Sequence, residues 1–190
     1  MKKILTFISI ISIVGVLASC GKEKANTEPK PKTCEQVETC KLALDYTTAV
    51  EQGAALKVYK YEAKGENDLH VYDSKKEAEE SISSDYREYK NNKIEDYGVA
   101  EYTVQRKQSY LYKFKYNAFR KNEDGVRELT TLIVHVYKEG GKYYPIEVFD
   151  YPELKEIKGD KELGLPQIYY SSNLTSKEKV KFKPKSIEGE

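Results

Sequence analysis

The chain has 190 residues, a formal charge of +1 and a hydrophobic fraction of 39%. This length fits one domain of ordinary size with enough chain to bury a core. The near balance of 32 basic and 31 acidic residues argues against nucleic acid as a partner, because nucleic-acid binding needs an excess of positive charge. No apolar run reaches the length of about 20 residues that a membrane-spanning helix requires.

The first twenty residues have the order of a bacterial secretory signal. Lys2 and Lys3 form a positive region, and an apolar stretch follows over residues 4–16. The sequence Leu17-Ala18-Ser19-Cys20 then resembles the lipobox of bacterial lipoproteins. That resemblance implies cleavage before Cys20 and a diacylglyceryl thioether on its sulfur. Acyl chains at this position would anchor the protein in a membrane without a spanning helix.

The composition predicts four segments. Residues 1–19 are a signal peptide, residues 20–33 a lipidated and disordered tether, residues 34–150 a folded domain, and residues 151–190 a polar C-terminal tail that docks in part. The protein is therefore expected to be exported and anchored to a membrane by its lipid. Gly21 after the lipidated cysteine permits placement in the outer membrane or at the cell surface, if the organism has an outer membrane.

With Cys20 assigned to the lipid, Cys34 and Cys40 remain, and the sequence allows either a disulfide bond between them or two free thiols. Thr33 and Gln36 resemble a capping box that would start a helix at Cys34. Positions six apart in a helix are separated by a rise of about 9 Å, whereas disulfide-bonded cysteines need Cα atoms within about 7 Å. Either residues 34–40 form a disulfide loop with a helix starting near Thr39, or the helix forms and the thiols stay free. Export favours the disulfide.

The first half of the domain is predicted to be helical. Apolar residues at spacings of three and four predict a helix over 42–52, ended by Gly53, and a short helix over 54–61. Ser74 with Glu77 is a second capping box and opens an amphipathic helix that ends near residue 91. Its apolar stripe consists of Ala78, Ile82, Tyr86 and Tyr89.

After residue 94 the hydrophobic period changes to two, which predicts strands over 99–106, 109–120, 129–137 and 143–149. Asn122 to Gly125 is a hairpin signal, and Pro145 points to an edge strand or a bulge. Helices followed by strands with short turns predict the α+β class, with N-terminal helices packed on a curved antiparallel sheet of at least four strands.

This order of elements resembles the cystatin-like, nuclear-transport-factor-2-like fold of many small bacterial lipoproteins. The resemblance covers residues 42–150 and is strongest in the last hairpin, which reads Val136-Tyr137-Lys138-Glu139-Gly140-Gly141-Lys142-Tyr143-Tyr144-Pro145-Ile146. It implies a sheet that curves around the helices and leaves a conical cavity. The family contains enzymes, binding proteins and structural domains, so the resemblance does not fix a function.

Tyrosine is the unusual residue of the chain, with 17 copies and no tryptophan. Alternation over 109–118 puts Tyr110, Tyr112, Phe114 and Tyr116 on one face and the lysines on a face expected to meet water. We expect the Ser74-capped helix to pack on the tyrosine face. Tyr102, Tyr110, Tyr112 and Tyr116 are candidates to line a cavity for a polar ligand such as a glycan or a peptide. The alternative is that these rings only fill the core.

No catalytic motif, metal-ligand spacing or cofactor-binding loop is present in the sequence, and neither His70 nor His135 belongs to one. We therefore predict no catalytic residue, no metal and no cofactor. The sequence favours a lipid-anchored envelope module that binds an unknown ligand or envelope protein without catalysis. The alternatives are a cavity-type enzyme that pairs a buried carboxylate with a tyrosine, and a purely structural envelope protein.

Overall fold

The computed structural model describes residues 33–62, 70–105, 108–160 and 162–187. The predicted signal peptide, the tether before Thr33 and the lipidation site Cys20 lie outside these residues. The first part of the described chain is helical, as expected. It contains α1 (Glu38–Glu51), α2 (Ala55–Tyr61), α3 (Lys75–Glu80) and α4 (Tyr86–Tyr89). Gly53, with φ of 65°, allows the sharp turn between α1 and α2.

The structure bonds Cys34 to Cys40, with Cα atoms 5.2 Å apart. The turn at Thr33 also forms, because its backbone N–H donates to Gln36 Oε1 at 3.3 Å. The two features coexist because the turn is a single 3₁₀ turn over Cys34–Gln36, and Val37 then adopts an extended conformation before α1 begins at Glu38. The extended residue breaks the regular helical rise that would have separated the two cysteines.

Five antiparallel strands form one sheet in the order β4-β3-β2-β1-β5. They are β1 (Tyr97–Gln105), β2 (Ser109–Lys121), β3 (Arg127–Glu139), β4 (Lys142–Val148) and β5 (Gln167–Tyr170). The N-terminal helices contact this sheet, so the predicted α+β class is confirmed. The strand that contains Pro145 is an edge strand, and β3 lies inside the sheet.

One face of the sheet, the front face, carries the tyrosine ladder and is covered by α1, which contacts β2, β3 and β4. Tyr112, Phe114 and Tyr116 on this face are almost fully buried, together with Val134 and Val136 of β3. The expectation that the Ser74-capped helix covers the ladder is wrong. That helix ends at Glu80, Ile82 is 38% exposed, and the main contact of α3 is with α2.

The opposite face, the back face, is also covered. Ala100, Tyr102 and Leu111 pack there with Leu154 of α5 (Tyr151–Lys158) and with Ile187 near the C-terminus. The expectation that the lysines of β2 meet water fails for Lys113, which is 5% exposed and donates from Nζ to the Ser186 carbonyl at 3.2 Å.

The segment after residue 150 is more ordered than the loosely docked tail that its composition predicted. It supplies α5, the fifth strand and α6 (Ser176–Phe182). Phe182 is buried above Gly98 of β1, where an added Cβ would lie 2.2 Å from the Phe182 carbonyl oxygen. The close approach of α6 to β1 therefore requires glycine at this position.

Candidate functional site

A connected group of polar and aromatic residues on the front face includes one carboxylate, that of Glu101. We call it the tyrosine–glutamate cluster, and it consists of Thr39, Glu101, Tyr110, Tyr112, Tyr143 and Tyr169. Antiparallel pairing places Glu101 of β1 directly opposite Tyr112 of β2 and opposite Gln167 of β5. The N-terminal turn of α1 brings Thr39 onto the same group.

A chain of hydrogen bonds runs from Thr39 to Tyr112 and from Tyr112 to Glu101. The Tyr112 hydroxyl donates to Glu101 Oε2 at 3.0 Å and lies 2.7 Å from Thr39 Oγ1. Since the proton of Tyr112 is directed at the carboxylate, Thr39 donates to the Tyr112 oxygen. Tyr169 also acts on this carboxylate, since it opposes the rise in the Glu101 pKa. The carboxylate is thus held by Tyr112, which is fixed in turn by Thr39 of α1.

Burial is the largest cause of the raised pKa values of Glu101, Tyr112 and Tyr169. Desolvation raises the pKa of Glu101 above its ordinary value, and hydrogen bonds from Tyr112 and Tyr169 oppose the rise. Desolvation, followed by the charge of Glu101, raises the pKa of Tyr169 to about 12. The same two causes raise the pKa of Tyr112. At neutral pH the tyrosines are therefore hydroxyl donors.

Two rings of the cluster, those of Tyr110 and Tyr143, remain half-buried, and Tyr110 is the one close to the carboxylate. Tyr110 stacks on Tyr112 with ring centroids 6.2 Å apart, and its centroid lies 6.3 Å from that of Tyr143. Lys138 Nζ lies 5.3 Å from the centroid of the Tyr143 ring. The cluster thus offers a carboxylate next to the partly exposed ring of Tyr110, with the Tyr143 ring on the far side of Tyr110. This combination suits a ligand with both apolar and hydroxyl groups.

The structure brings together two of the four tyrosines proposed as a cavity lining. Tyr110 and Tyr112 belong to the cluster. Tyr116 is 1% exposed inside the front core, and Tyr102 lies on the back face, where its hydroxyl accepts from the Ile187 N–H at 3.2 Å. Register explains the separation, because Tyr102 pairs with Leu111 rather than with a tyrosine.

Glu101, Thr39, Tyr143 and Tyr169 were not predicted as site residues. Alternation in β1 contained the one usable signal, since Glu101 lies between apolar residues at positions 99, 100 and 102. Alternation puts Ala100 and Tyr102 on one face of the strand and Glu101 on the other, which by itself does not indicate that Glu101 is buried. Both faces of β1 are covered in the structure, so the acidic residue is drawn into a partly buried position.

A second polar pair lies on the back face. Ser109 Oγ and His135 Nε2 are 2.6 Å apart, which is the spacing of a nucleophile and its base. No described residue, however, hydrogen bonds to the buried His135 Nδ1, so the third member of a catalytic triad is not supplied by this part of the chain. Burial lowers the pKa of His135 to about 4, which makes it a weak base.

A third polar group joins α1 to β4. The Tyr46 hydroxyl donates to Glu62 Oε1 at 2.9 Å and accepts from the Glu147 N–H at 3.1 Å. Within the described ranges, no cluster of three or more histidine, cysteine or acidic residues could hold a metal ion. None of the helices in these ranges combines the length and hydrophobicity that crossing a membrane requires.

Comparison of the chain with protein families, with known proteins and with solved structures gives no match.

Proposed function

We propose that this protein is a lipid-anchored module of the cell envelope that binds a glycan at the tyrosine–glutamate cluster. The lipobox-like Leu17-Ala18-Ser19-Cys20 supports export and anchoring. The observation that carries the binding proposal is the position of Glu101, which is half-buried, held by Tyr112, and close to the half-buried ring of Tyr110 that stacks on Tyr112. Sugar hydroxyls would donate to the carboxylate while the apolar face of the sugar packs on a ring.

Binding is favoured over glycan hydrolysis by the number of carboxylates. Most glycoside hydrolases use two carboxyl groups that flank the scissile bond. Among the described residues, Glu101 is the one carboxylate that perturbs the titration of Tyr110, Tyr112 and Tyr169. A single carboxylate can orient a sugar, but it cannot supply both roles of the hydrolytic mechanism.

The resemblance to the cystatin-like, nuclear-transport-factor-2-like fold is retained as part of this proposal. N-terminal helices on an antiparallel sheet support it at the level of architecture. The front core above β2 is filled by α1 and the tyrosine ladder, so the proposed ligand lies at the end of the front face and not within a cone.

Isothermal titration calorimetry tests the proposal, with soluble glycan strands released from peptidoglycan titrated into the full chain in detergent. We expect binding by the wild type and at least a tenfold loss of affinity in Glu101→Gln and in Tyr110→Ala. The matched control is Glu123→Gln, which removes an exposed carboxylate from the β2–β3 turn and should leave the affinity unchanged. Equal affinities of Glu101→Gln and Glu123→Gln, or no binding by the wild type, would reject the cluster as a glycan site.

A further inference from the structure

The two edge strands of the sheet, β4 and β5, differ in whether their outward backbone N–H groups can pair with another strand. At the β4 edge, Pro145 has no N–H to offer, and the N–H of Glu147 donates to the Tyr46 hydroxyl at 3.1 Å. Residues 145 and 147 point their backbone groups the same way, because backbone direction alternates along an antiparallel strand. The outward-facing donors of residues 145 and 147 are therefore missing or used, which prevents another strand from pairing there.

Among the described residues, the outward N–H groups at the β5 edge are free, and the outward carbonyl of Ile168 accepts only a 3.4 Å hydrogen bond from the exposed Gln167 side chain. Ser171 N–H donates to the Tyr97 carbonyl at 3.1 Å, which fixes the alternation of β5 against β1. The backbone groups of Gln167 and Tyr169 then point to β1, and those of Ile168 and Tyr170 point away from the sheet. In the described part of the chain, no partner takes the N–H of Ile168 or of Tyr170.

Positive charge lies along the back side of this edge. Lys179 of α6 places its Nζ 5.8 Å from the centroid of the Tyr170 ring. Lys183 and Ile168 line one groove of about 450 Å³ together with the fully exposed Leu165. On the front side, by contrast, the neighbouring charge is the carboxylate of Glu101, opposite Gln167. The two sides of the β5 edge thus differ in the sign of their charge.

We infer that the β5 edge is a docking surface for an extended acidic segment of a partner protein, which adds as a sixth strand beside β5. Backbone hydrogen bonds to Ile168 and Tyr170 supply the pairing. Every second side chain of the added strand points to the back side, where an acidic group meets Lys179 and Lys183 and its methylene groups cover Ile168. The alternate side chains face Glu101 and must be uncharged.

The same lysines oppose pairing between two copies of this chain. An isologous β5–β5 contact would bring Lys179 and Lys183 of both copies together, and like charges at a strand edge are a known protection against self-association. An acidic strand removes that repulsion, because its charge complements the edge.

The test uses the full chain in detergent and a fluorescein-labelled peptide of eight residues that alternates glutamate with threonine. Fluorescence anisotropy should show saturable binding that weakens as the salt concentration rises. Replacing glutamate by lysine in the peptide should abolish binding. Methylating the backbone nitrogens of alternate peptide residues, in each of the two possible phases, should weaken binding at least tenfold in one phase, because one set of N–H groups faces β5.

Variants of the protein locate the site. Ile168→Pro removes an outward N–H while leaving the hydrogen bonds to β1 intact, so the protein should fold and lose at least tenfold in peptide affinity. The double variant Lys179→Glu, Lys183→Glu should lose as much. The matched control is Lys121→Glu, which reverses the charge of an exposed residue at the far end of β2. It should change the affinity less than twofold.

Several results would overturn the inference. They are unchanged affinity with Ile168→Pro, retained affinity for both methylated peptides, and an equal loss in Lys121→Glu and the double lysine variant. A concentration-dependent dimer that excludes the peptide would also overturn it, because the occupant would then be a second copy. If Ile168→Pro fails to fold, the methylated peptides decide the question.

Discussion

Glu147 is a carboxylate that β4 carries into a partly buried position beside other acids. Desolvation raises its pKa to about 7, and the charges of Glu153, Glu62 and Glu51 add to the rise. Its backbone N–H is bound by Tyr46, so the strand cannot easily move the side chain out into water. A carboxylate in this setting stabilises the fold when protonated and destabilises it when ionised.

The first prediction concerns the pH dependence of stability through Glu147→Gln. Because the pKa is about 7 when folded and near the ordinary 4.5 when unfolded, the folded state binds the proton more tightly. Its contribution is fully present below pH 4.5 and is lost as the pH rises through 7. Urea unfolding at pH 5 and pH 8 should therefore show a smaller decrease in stability for Glu147→Gln than for the wild type.

The control for that measurement is Glu156→Gln, which changes an exposed carboxylate on α5. This variant should keep the pH dependence of the wild type. The opposing contribution of His135, whose pKa is lowered by burial, is common to all three proteins and cancels in the comparison. Identical pH dependence in the wild type and in Glu147→Gln would contradict the assigned titration.

At the scale of elements, sequence periodicity predicted the four long strands and their turns, because hairpin residues and alternation are local signals. The fifth strand, Gln167–Tyr170, lies in the segment that composition predicted to be a polar tail. Four residues are too few for alternation to be recognised, and the strand is stabilised by the free edge of β1. Similarly, Lys113 was assigned to solvent because nothing local shows that the chain end crosses the back face.

A second prediction follows from the packing of α6 on β1. Gly98→Ala places a methyl group within 2.2 Å of the Phe182 carbonyl oxygen, and that atom belongs to the backbone. Either β1 or α6 must move, and overpacking of this kind typically costs about 1–3 kcal/mol. Urea unfolding should show a loss of stability of that order for Gly98→Ala.

Gly164→Ala provides the matched comparison, because an added Cβ there meets no heavy atom within 4 Å and its φ is not positive. Its stability should equal or slightly exceed that of the wild type, since alanine restricts the unfolded chain. Equal stabilities of Gly98→Ala and the wild type would show that α6 does not pack closely on β1.

At the scale of the whole molecule, the sheet is covered on both faces, by α1 in front and by the C-terminal segment behind. The sequence predicted that N-terminal helices cover one face, although it assigned the cover of the tyrosine ladder to the Ser74-capped helix in place of α1, and it did not predict the back cover. The residues that bury the back face, Leu154, Phe182 and Ile187, are isolated apolar side chains in a polar context and have no periodicity among themselves. The tyrosine–glutamate cluster was half predicted for the same reason, since Tyr110 and Tyr112 share a strand whereas Glu101, Thr39 and Tyr169 come from three other elements.

The last prediction concerns the attachment of this domain to a membrane. The lipobox-like sequence before Gly21 implies a thioether on Cys20, and each buried CH₂ of its acyl chains contributes about 0.8 kcal/mol to membrane binding. Cells fed an alkyne fatty acid should therefore label the wild-type protein, and Cys20→Ala should carry no label. A chain with Cys34→Ala and Cys40→Ala should still be labelled, because those cysteines are paired within the folded domain. If Cys20→Ala were labelled as strongly as the wild type, the lipid would be attached to another residue. If neither protein were labelled, the lipid anchor on Cys20 would be rejected.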